Sequence, residues 1–230
     1  MARVIPLQRE QVKDLKAVFE ITEAVMGFVP NSMLIMARDP DLLAAFAQLS
    51  AVVMVRPGKL DPGLKSLIMY AVSRPSGCQY CMAHSALLAT SHGIPSHKVE
   101  EACRFESSRE FGEAERTALR FAQSAGQTPN AVSDAEFEEL RRHFSEDEIL
   151  EIVSVIAFMG FLNRWNDTLA TPLENAPRSF GERHLSISGW SVGKHTPITI
   201  KETPRRWAAS LRTRLFRRLL KIFGPKSVKF

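Results

Sequence analysis

Two cysteines and a histidine within seven residues carry the clearest chemical signal in this 230-residue chain. Residues 78–84 read CQYCMAH, which is a CxxC pair, Cys78 and Cys81, followed by His84. Apolar residues at helical spacing come next, so the pair is predicted to lie at the start of a helix. Backbone N–H groups and the helix dipole stabilise a thiolate there, and His84 is one turn from Cys81, within reach of its proton. This spacing predicts dithiol–disulfide chemistry.

Two other interpretations of the CxxC pair stay open at this level. A zinc site takes four ligands, typically with a second CxxC or two closely spaced histidines. Only His84 is near in sequence, and His92 or His97 would have to fold back. The pair could also be two buried cysteines, with His84 a half-buried polar residue. A CxxC in a reducing compartment is more often catalytic or metal-binding than structural, so we favour redox function and expect no metal. Cys103 stands alone and is expected in the core.

The composition is that of an ordinary globular protein, with 45% hydrophobic and 24% charged residues. At this length, one substantial core with appendages is expected. No apolar run approaches the roughly 20 residues that span a bilayer, and the charged N-terminus lacks the apolar stretch of a signal peptide. We therefore expect a cytoplasmic location, with peripheral membrane attachment as a variant of it.

That variant rests on the uneven distribution of charge. Residues 204–230 hold nine of the 30 Lys and Arg residues and no acid, which leaves 21 basic against 25 acidic residues in 1–203. Trp207, Leu211 and Leu215 are spaced by four, so 204–230 is predicted to form a basic amphipathic helix. Such a helix could bind an anionic membrane surface, or pack its apolar stripe on the protein or in an oligomer. Nucleic acid is the less favoured partner.

Prolines and glycines divide the rest of the chain into segments with helical periodicity, and strand-like alternation is scarce. The fold class is therefore predicted to be all-α. Helices are predicted over 8–26, 40–55, 62–74, 79–92, 96–104 and 113–127, and from Ser133 and Ser145 onwards. The helix after Ser145 is apolar on most faces and is predicted to be central and buried. We expect a helical domain over 1–176, an extended arm over 177–203 and the basic helix over 204–230.

Three segments resemble the AhpD-like alkylhydroperoxidases of the carboxymuconolactone decarboxylase superfamily, in its peroxidase-related branch. They are 64–89, with the GCQYCMAH core, 115–174, with the FLNRWND helix end, and 183–195, with GWSVGKH. The resemblance implies an AhpD-like helical bundle and a homo-oligomer. It also implies that Cys81 attacks a peroxide and that Cys78 resolves the sulfenic acid as a disulfide, with His84 assisting proton transfer. Decarboxylases proper generally lack this CxxC pair, so decarboxylation is not expected.

Two positions depart from the pattern of the characterised alkylhydroperoxidases. Those enzymes carry a proton-relay glutamate 12 residues before the first cysteine, where this chain has Ser66. Serine does not hold a proton at neutral pH in the way a carboxylate does, so the base step needs another group. They also place a histidine four residues after the second cysteine, where this chain has Ser85. Glu151, an acid in an apolar helix, is one candidate replacement base, and a structural role is its alternative.

The sequence thus predicts a thiol-dependent peroxidase, a peroxiredoxin-type oxidoreductase that uses a hydroperoxide and an external thiol reductant. No organic cofactor is expected, because the chain has no GxGxxG motif and no Walker loop. The alternative is a weakly or non-catalytic AhpD-like scaffold, tethered to a membrane or partner by its basic tail. Ser66 favours the scaffold, whereas the CxxC pair with His84 favours the enzyme.

Overall fold

A computed structural model describes residues 2–12 and 16–197 of the chain. Regular structure in these residues is helical, without a β-strand, so the predicted all-α class is confirmed. The α-helices are α1 (Lys16–Met26), α2 (Asn31–Met36), α3 (Pro40–Ser50), α4 (Pro62–Ser73), α5 (Gln79–Ser91), α6 (Ser96–Glu101), α7 (Glu113–Ala125), α8 (Asp134–His143), α9 (Glu146–Leu169) and α10 (Asn175–His184). Shorter helical turns are Arg9–Gln11, Ala51–Val55, Ala102–Arg104, Ser186–Ser188 and Gly193–His195.

Several helix starts follow capping signals in the sequence. Asp61 accepts a backbone N–H at the start of α4. Ser133 and Ser145 form capping boxes with Glu136 and Glu148 at the starts of α8 and α9. These side chains satisfy N–H groups that have no partner within the helix, which is why the helices begin where the sequence predicts.

Residues 57–197 belong to one compact unit, which contains α4 to α10. Helix α4 packs against α5, α7 and α9, and nearly all of its residues are buried. The prediction that the helix after Ser145 is the central one is therefore wrong, because α4 has that place. Helix α9 leaves Leu150, Val153 and Phe161 exposed by 67%, 39% and 40%, since its apolar residues extend round more of the helix than its neighbours cover.

The predicted extended arm is helix and turns as far as residue 197, and residues 198–230, with the predicted basic helix, lie outside the described residues. Helix α10 crosses the predicted boundary at residue 176 and packs against α5. Trp190 lies against Gly181, where an added Cβ would come within 2.6 Å of the indole. The indole N–H donates to the Gln79 carbonyl at 2.9 Å. The prediction of an extended arm failed because the contacts that hold these residues come from tertiary packing. The buried indole needs a flat surface and a hydrogen-bond acceptor, and local periodicity reveals neither.

Residues 4–56 belong to a second compact unit. The predicted single helix over 8–26 is interrupted, because Arg9–Gln11 form a separate turn that ends at the extended residue Val12. The predicted segment 40–55 is helical throughout, with α3 continuing into a π-helical turn over Ala51–Val55. No helix in the part of the chain that the structure describes has the length and apolar character needed to cross a bilayer.

Candidate active site

Cys78 is the N-cap residue of α5, so the CxxC pair begins a helix as predicted. Gly77 precedes it with φ = +67°, a left-handed conformation that glycine adopts at the least cost. The Cys78 sulfur accepts the backbone N–H of Cys81 at 3.4 Å. Sulfur thus takes the place of the oxygen that usually caps a helix, at the positive end of the helix dipole.

Both cysteines are free thiols and are buried, with 0% of Cys78 and 2% of Cys81 exposed. Burial raises the pKa of Cys81 well above its ordinary value, and hydrogen bonding with Cys78 acts in the same direction. The side-chain amide of Asn166 lies 3.6 Å from the Cys81 sulfur and partly offsets this rise in pKa. We expected a stabilised thiolate at the helix start, whereas Cys81 is held as a thiol, because desolvation there outweighs the helix dipole.

A first histidine–carboxylate pair lies one turn along α5 from Cys81. Nε2 of His84 is 2.6 Å from Oε2 of Glu174, and the Tyr80 hydroxyl donates to Oε1 of the same carboxylate at 2.8 Å. A carboxylate only accepts hydrogen bonds, so Nε2 of His84 carries a proton. The His84 and Tyr80 rings are stacked, with centroids 4.3 Å apart. Glu174 therefore fixes both of these α5 side chains.

A second pair, His195 and Asp167, lies beside Cys78. Nδ1 of His195 is 2.8 Å from the Thr171 carbonyl oxygen, and Nε2 is 3.7 Å from Oδ1 of Asp167. Burial lowers the pKa of His195, although Thr171 and Asp167 act in the opposite direction. One atom each of Cys78, Asp167 and His195 lie within 4.8 Å of one another. Sulfur, imidazole and carboxylate also occur together in zinc sites, so this set is where a metal could be held.

Some of the buried polar atoms that have no hydrogen-bond partner in the described part of the chain lie on α5 or on residues that contact Cys81 or His195. On α5 they are Oε1 of Gln79 and Oγ of Ser85. From other parts of the chain come Oδ1 of Asn166, Oγ1 of Thr171 and Nε2 of His195. Buried polar groups are normally paired, and unpaired ones call for a role such as catalysis. The unpaired atoms of Asn166 and His195 are those that suit a polar reaction site beside the two sulfurs.

Ser66, at the position of the relay glutamate, and Glu151, the candidate replacement base, both have other partners. Ser66 Oγ lies 2.9 Å from Nδ1 of His92. Glu151 is 2.8 Å from Nζ of Lys65 and accepts the backbone N–H of Lys59 at 2.7 Å. These contacts favour the structural alternative for Glu151, which holds the segment before α4 to α9.

Sequence reasoning assigned no chemical role to Glu174, His195, Asn166 or Asp167. None of the four lies within helical spacing of the CxxC pair. The one available signal was the resemblance, because its second and third segments end at Glu174 and His195. Cys103, expected in the core, is only half-buried.

Residues 40–124 match the model of the carboxymuconolactone decarboxylase family. The debrominase Bmp8, in the crystal structure of a cysteine-to-alanine variant in complex with 2,3,4-tribromopyrrole, is 37% identical, with a TM-score of 0.74. The similarity covers 78% of this chain and 96% of Bmp8. This chain belongs to the carboxymuconolactone decarboxylase family.

A solved structure of lower identity agrees with the predicted AhpD-like fold, and one curated protein matches part of the chain. The AhpD core of a peroxidase-related protein from Ralstonia eutropha JMP134 has a TM-score of 0.68 and 22% identity, over 76% of this chain and 94% of that one. The uncharacterized protein YnjA of Escherichia coli (strain K12) is 26% identical over 119 residues. That match spans 52% of this chain and 65% of YnjA, slightly under two thirds of its length. The family contains enzymes of different kinds, so membership alone leaves the reaction open.

Proposed function

We propose that this protein is a thiol-dependent peroxidase, which reduces hydroperoxides while Cys78 and Cys81 are oxidised to a disulfide. The observation that carries the proposal is the placement of two free sulfurs on the first turn of α5, with the Cys78 sulfur accepting the Cys81 N–H at 3.4 Å. Residues one helical turn apart are close enough for a disulfide to form with little backbone movement.

The proposed cycle has two chemical steps and a recovery. Cys81 sulfur attacks a peroxide oxygen, the O–O bond breaks, and the leaving alkoxide takes a proton to become the alcohol. Cys81 is then a sulfenic acid. The Cys78 sulfur attacks the Cys81 sulfur, hydroxide leaves with a proton as water, and the disulfide forms. An external thiol reductant is oxidised as it restores the two cysteines.

Protons must move because Cys81 rests as a thiol. Burial raises the pKa of Cys81, so its proton has to leave as the sulfur attacks. The Cys78 sulfur is its hydrogen-bond partner, but Cys78 is itself a thiol, so the proton of Cys81 passes to the leaving alkoxide. The Asn166 amide, 3.6 Å from the Cys81 sulfur, stabilises the charge that develops there. His84, one helical turn from Cys81 and held by Glu174, is proposed to assist that proton transfer.

A single-turnover oxidation of the reduced full-length protein tests this function. One equivalent of cumene hydroperoxide is added, remaining thiols are alkylated, and the peptides are analysed by mass spectrometry. We expect the peptide that contains Cys78 and Cys81 to lose two hydrogens and to resist alkylation. Cys103 should be alkylated as in the reduced protein.

Three matched serine variants assign the roles. Cys81→Ser should consume no peroxide, and Cys78→Ser should accumulate a sulfenic acid at Cys81 that dimedone traps. Cys103→Ser is the control and should behave as the parent does. Peroxide consumption by Cys81→Ser at the parent rate contradicts the assignment of Cys81 as the attacking sulfur. If no hydroperoxide produces the disulfide, the non-catalytic scaffold becomes the better account.

Reductive debromination is a second candidate, favoured by the 37% identity to the debrominase Bmp8 over 96% of its length. In that reaction the C–Br bond is replaced by C–H. The two thiols supply two electrons and become a disulfide, while bromide and a proton are released. Reduced protein mixed with 2,3,4-tribromopyrrole should then release one bromide for each disulfide formed. Disulfide formation with peroxide but no bromide release would favour the peroxidase.

The expected homo-oligomer and the attachment of residues 204–230 to an anionic membrane surface stay predictions. Sedimentation velocity measures the first. Co-sedimentation of the full chain with vesicles that contain or lack anionic lipid measures the second, and binding that does not depend on anionic lipid contradicts it.

A further inference from the structure

Cys78, Asp167 and His195 come together from three separate parts of the chain. They belong to the N-cap of α5, the last turn of α9 and the turn Gly193–His195. One sulfur, one carboxylate oxygen and one imidazole nitrogen lie within 4.8 Å of one another. The cycle described above uses Cys78 but gives no role to the other two. A thiol, an imidazole and a carboxylate side by side are the components of an acid–base relay.

The backbone contacts of His195 decide which ring nitrogen can accept a proton. The Thr171 carbonyl oxygen, 2.8 Å from Nδ1, only accepts hydrogen bonds, so Nδ1 carries the proton. Nε2 of the neutral ring then presents a lone pair, and it has no hydrogen-bond partner among residues 2–12 and 16–197. The Leu173 N–H donates to the His195 carbonyl at 2.9 Å and fixes the backbone. The ring is therefore oriented with Nε2 3.7 Å from Asp167, and one of its nitrogens lies within 4.8 Å of the Cys78 sulfur.

The groups around the His195 ring favour a base that is neutral before the reaction and is protonated only during the proton transfer. Burial lowers the pKa of His195, which keeps the ring neutral and able to accept a proton. Asp167, 3.7 Å from Nε2, stabilises the imidazolium, while Lys194, 2.7 Å from the other Asp167 oxygen, opposes it. Cys78 and Tyr80 are two further titratable neighbours, and the Tyr80 ring centroid is 5.8 Å from that of His195.

We infer that His195 is the general base for Cys78, and that Asp167 stabilises the imidazolium that forms. This inference deepens the proposed function and rests on it for its place in the cycle. As Cys78 attacks the sulfenic acid of Cys81, its S–H proton passes to Nε2. The imidazolium then gives that proton to the departing hydroxide, which leaves as water. No electrons pass through the ring, so disulfide, water and neutral His195 balance the step.

The separation of up to 4.8 Å is compatible with this role. Catalytic hydrogen bonds are often long before a substrate binds, and a small side-chain rotation or one bridging water closes such a gap. A histidine with a purely structural role would be expected to use both ring nitrogens in hydrogen bonds, whereas in the described residues Nδ1 makes one and Nε2 has only the longer contact to Asp167. Zinc binding is the other use of these three groups, and it would hold Cys78 as a thiolate.

The reactivity of Cys78 alone, without peroxide, tests the inference. In full-length protein with Cys81→Ser and Cys103→Ser, Cys78 is the single thiol. The rate of its modification by methyl methanethiosulfonate, a small reagent, is followed by intact-mass spectrometry from pH 5.5 to 8.5. With His195 present, we expect a rate that is nearly independent of pH through the neutral range. With His195→Gln, the rate should rise tenfold per pH unit and should be lower by at least about tenfold at pH 6.5.

Two further variants keep the test decisive. Asp167→Asn should lower the rate by a few fold and keep the shape of the pH profile, because the base remains. If His195→Gln does not fold, Asp167→Asn takes its place as the test, because the Asp167 side chain is 30% exposed and its substitution should disturb the fold less. His97→Gln is the control, because this side chain is 65% exposed and pairs with Glu110. If His195→Gln, or Asp167→Asn in its place, follows the parent over the whole pH range, the inference is wrong.

A zinc measurement and a comparison with turnover complete the test. One zinc bound per reduced chain, and none in His195→Gln, would overturn the role of base, because the metal would occupy Nε2. A zinc-free reduced chain supports it. The reagent is not a peroxide, so the dependence on His195 can hold even if hydroperoxides are not the substrates. Conversely, if the protein turns over peroxide but the reactivity of Cys78 does not depend on His195, the inference about His195 is wrong and the proposed function still holds.

Discussion

Two histidine–carboxylate pairs flank the CxxC turn, and they are built in opposite ways. His84 lies 2.6 Å from Glu174, whose other oxygen accepts the Tyr80 hydroxyl. His195 lies 3.7 Å from Asp167 and leaves Nε2 without a hydrogen-bond partner in the part of the chain that is described. A proton in a short bond to a carboxylate is held in place, whereas an open nitrogen beside a thiol can receive one.

The difference separates groups that hold the fold from groups that tune reactivity. The Glu174 side chain is 7% exposed and joins two α5 side chains, so removing it leaves buried polar atoms unpaired. The Asp167 side chain is 30% exposed and pairs with Lys194, whose side chain is 43% exposed. Water can therefore replace much of the interaction that Asp167 makes, and its contribution to stability is small. We therefore expect the first pair to matter most for stability and the second for chemistry.

The largest effect is expected for Glu174→Ala. It removes the acceptor of both His84 and Tyr80 from a buried site, and breaking such a pair costs about 3–5 kcal/mol of the free energy of unfolding. Urea unfolding followed by circular dichroism measures it. Asp167→Ala is the matched control, with an expected loss of about 0–1 kcal/mol. Equal losses in the two variants would contradict the division of roles.

Glu151→Gln should cause the next largest loss of stability. It extends the comparison of the two histidine–carboxylate pairs to a carboxylate that is paired with a lysine. Lys65, with 7% of its side chain exposed, would lose its charged partner, at a cost of about 1–3 kcal/mol. Although burial acts to raise the pKa of Glu151, hydrogen bonds from Lys65 and the Lys59 backbone hold it below its ordinary 4.5. The stabilisation is therefore present above pH 4.5 and is lost as pH falls through the folded-state value.

The same variant also decides between the two roles considered for Glu151. We expect the pH profile of single-turnover oxidation of Cys78 and Cys81 to be unchanged in Glu151→Gln, because its contacts are to Lys65 and Lys59. A profile that loses one ionisation would show that Glu151 acts as a base after all.

The helices and the CxxC position could be predicted because their signals are local. Ser133, Ser145 and Asp61 cap helices that begin within a residue or two of the predicted starts. Cys78 is placed at a helix start by the turn at Gly77 and the apolar spacing that follows. Each of these effects acts within one turn, over the range in which sequence periodicity carries information.

The residues that pair with His84 and lie beside Cys78 could not be predicted, because tertiary packing brings them to the CxxC pair. Glu174 reaches His84 from 90 residues away, and Thr171 reaches His195 from 24. The position of His195 depends on residues 183–195 folding back onto α5, which Trp190 fixes through its bond to the Gln79 carbonyl. Neither contact follows from spacing along the chain. The sequence showed that the relay glutamate is replaced by Ser66, but it did not show that Glu174 and Asp167 lie near the CxxC pair.

Tyr80→Phe should have a smaller effect than either glutamate substitution. It removes one hydrogen bond to Glu174 and keeps the aromatic ring that stacks on His84, so we expect a loss of about 1–2 kcal/mol in the free energy of unfolding. Urea unfolding at pH 7 measures this loss. In the double variant with Glu174→Ala, the Tyr80→Phe change should cost close to nothing, because its partner is gone. A full additional loss would show that the Tyr80 hydroxyl is held by another group.

The smallest effect is a change in how stability depends on pH, and it reports the resting charge of His195. Burial lowers the pKa of His195 in the folded state below its ordinary 6.5, so the unfolded chain takes up this proton first. Stability from the neutral ring is therefore fully present above pH 6.5 and is lost as pH falls through the folded-state pKa. Glutamine does not titrate, so the difference in unfolding free energy between the parent and His195→Gln should shrink on acidification from pH 7.5 to 5.5.

The direction of that change distinguishes a neutral base from a resting ion pair. If His195 were already an imidazolium bound to Asp167, the folded state would take up the proton first, and the advantage of the parent would grow on acidification. His97→Gln, which changes a ring at the surface, controls for the general effect of losing one histidine. An advantage that shrinks for His195→Gln, and does not change in the same way for His97→Gln, supports a His195 that is neutral until Cys78 reacts. It would also set this pair apart from His84 and Glu174, in which the proton already lies in a short bond.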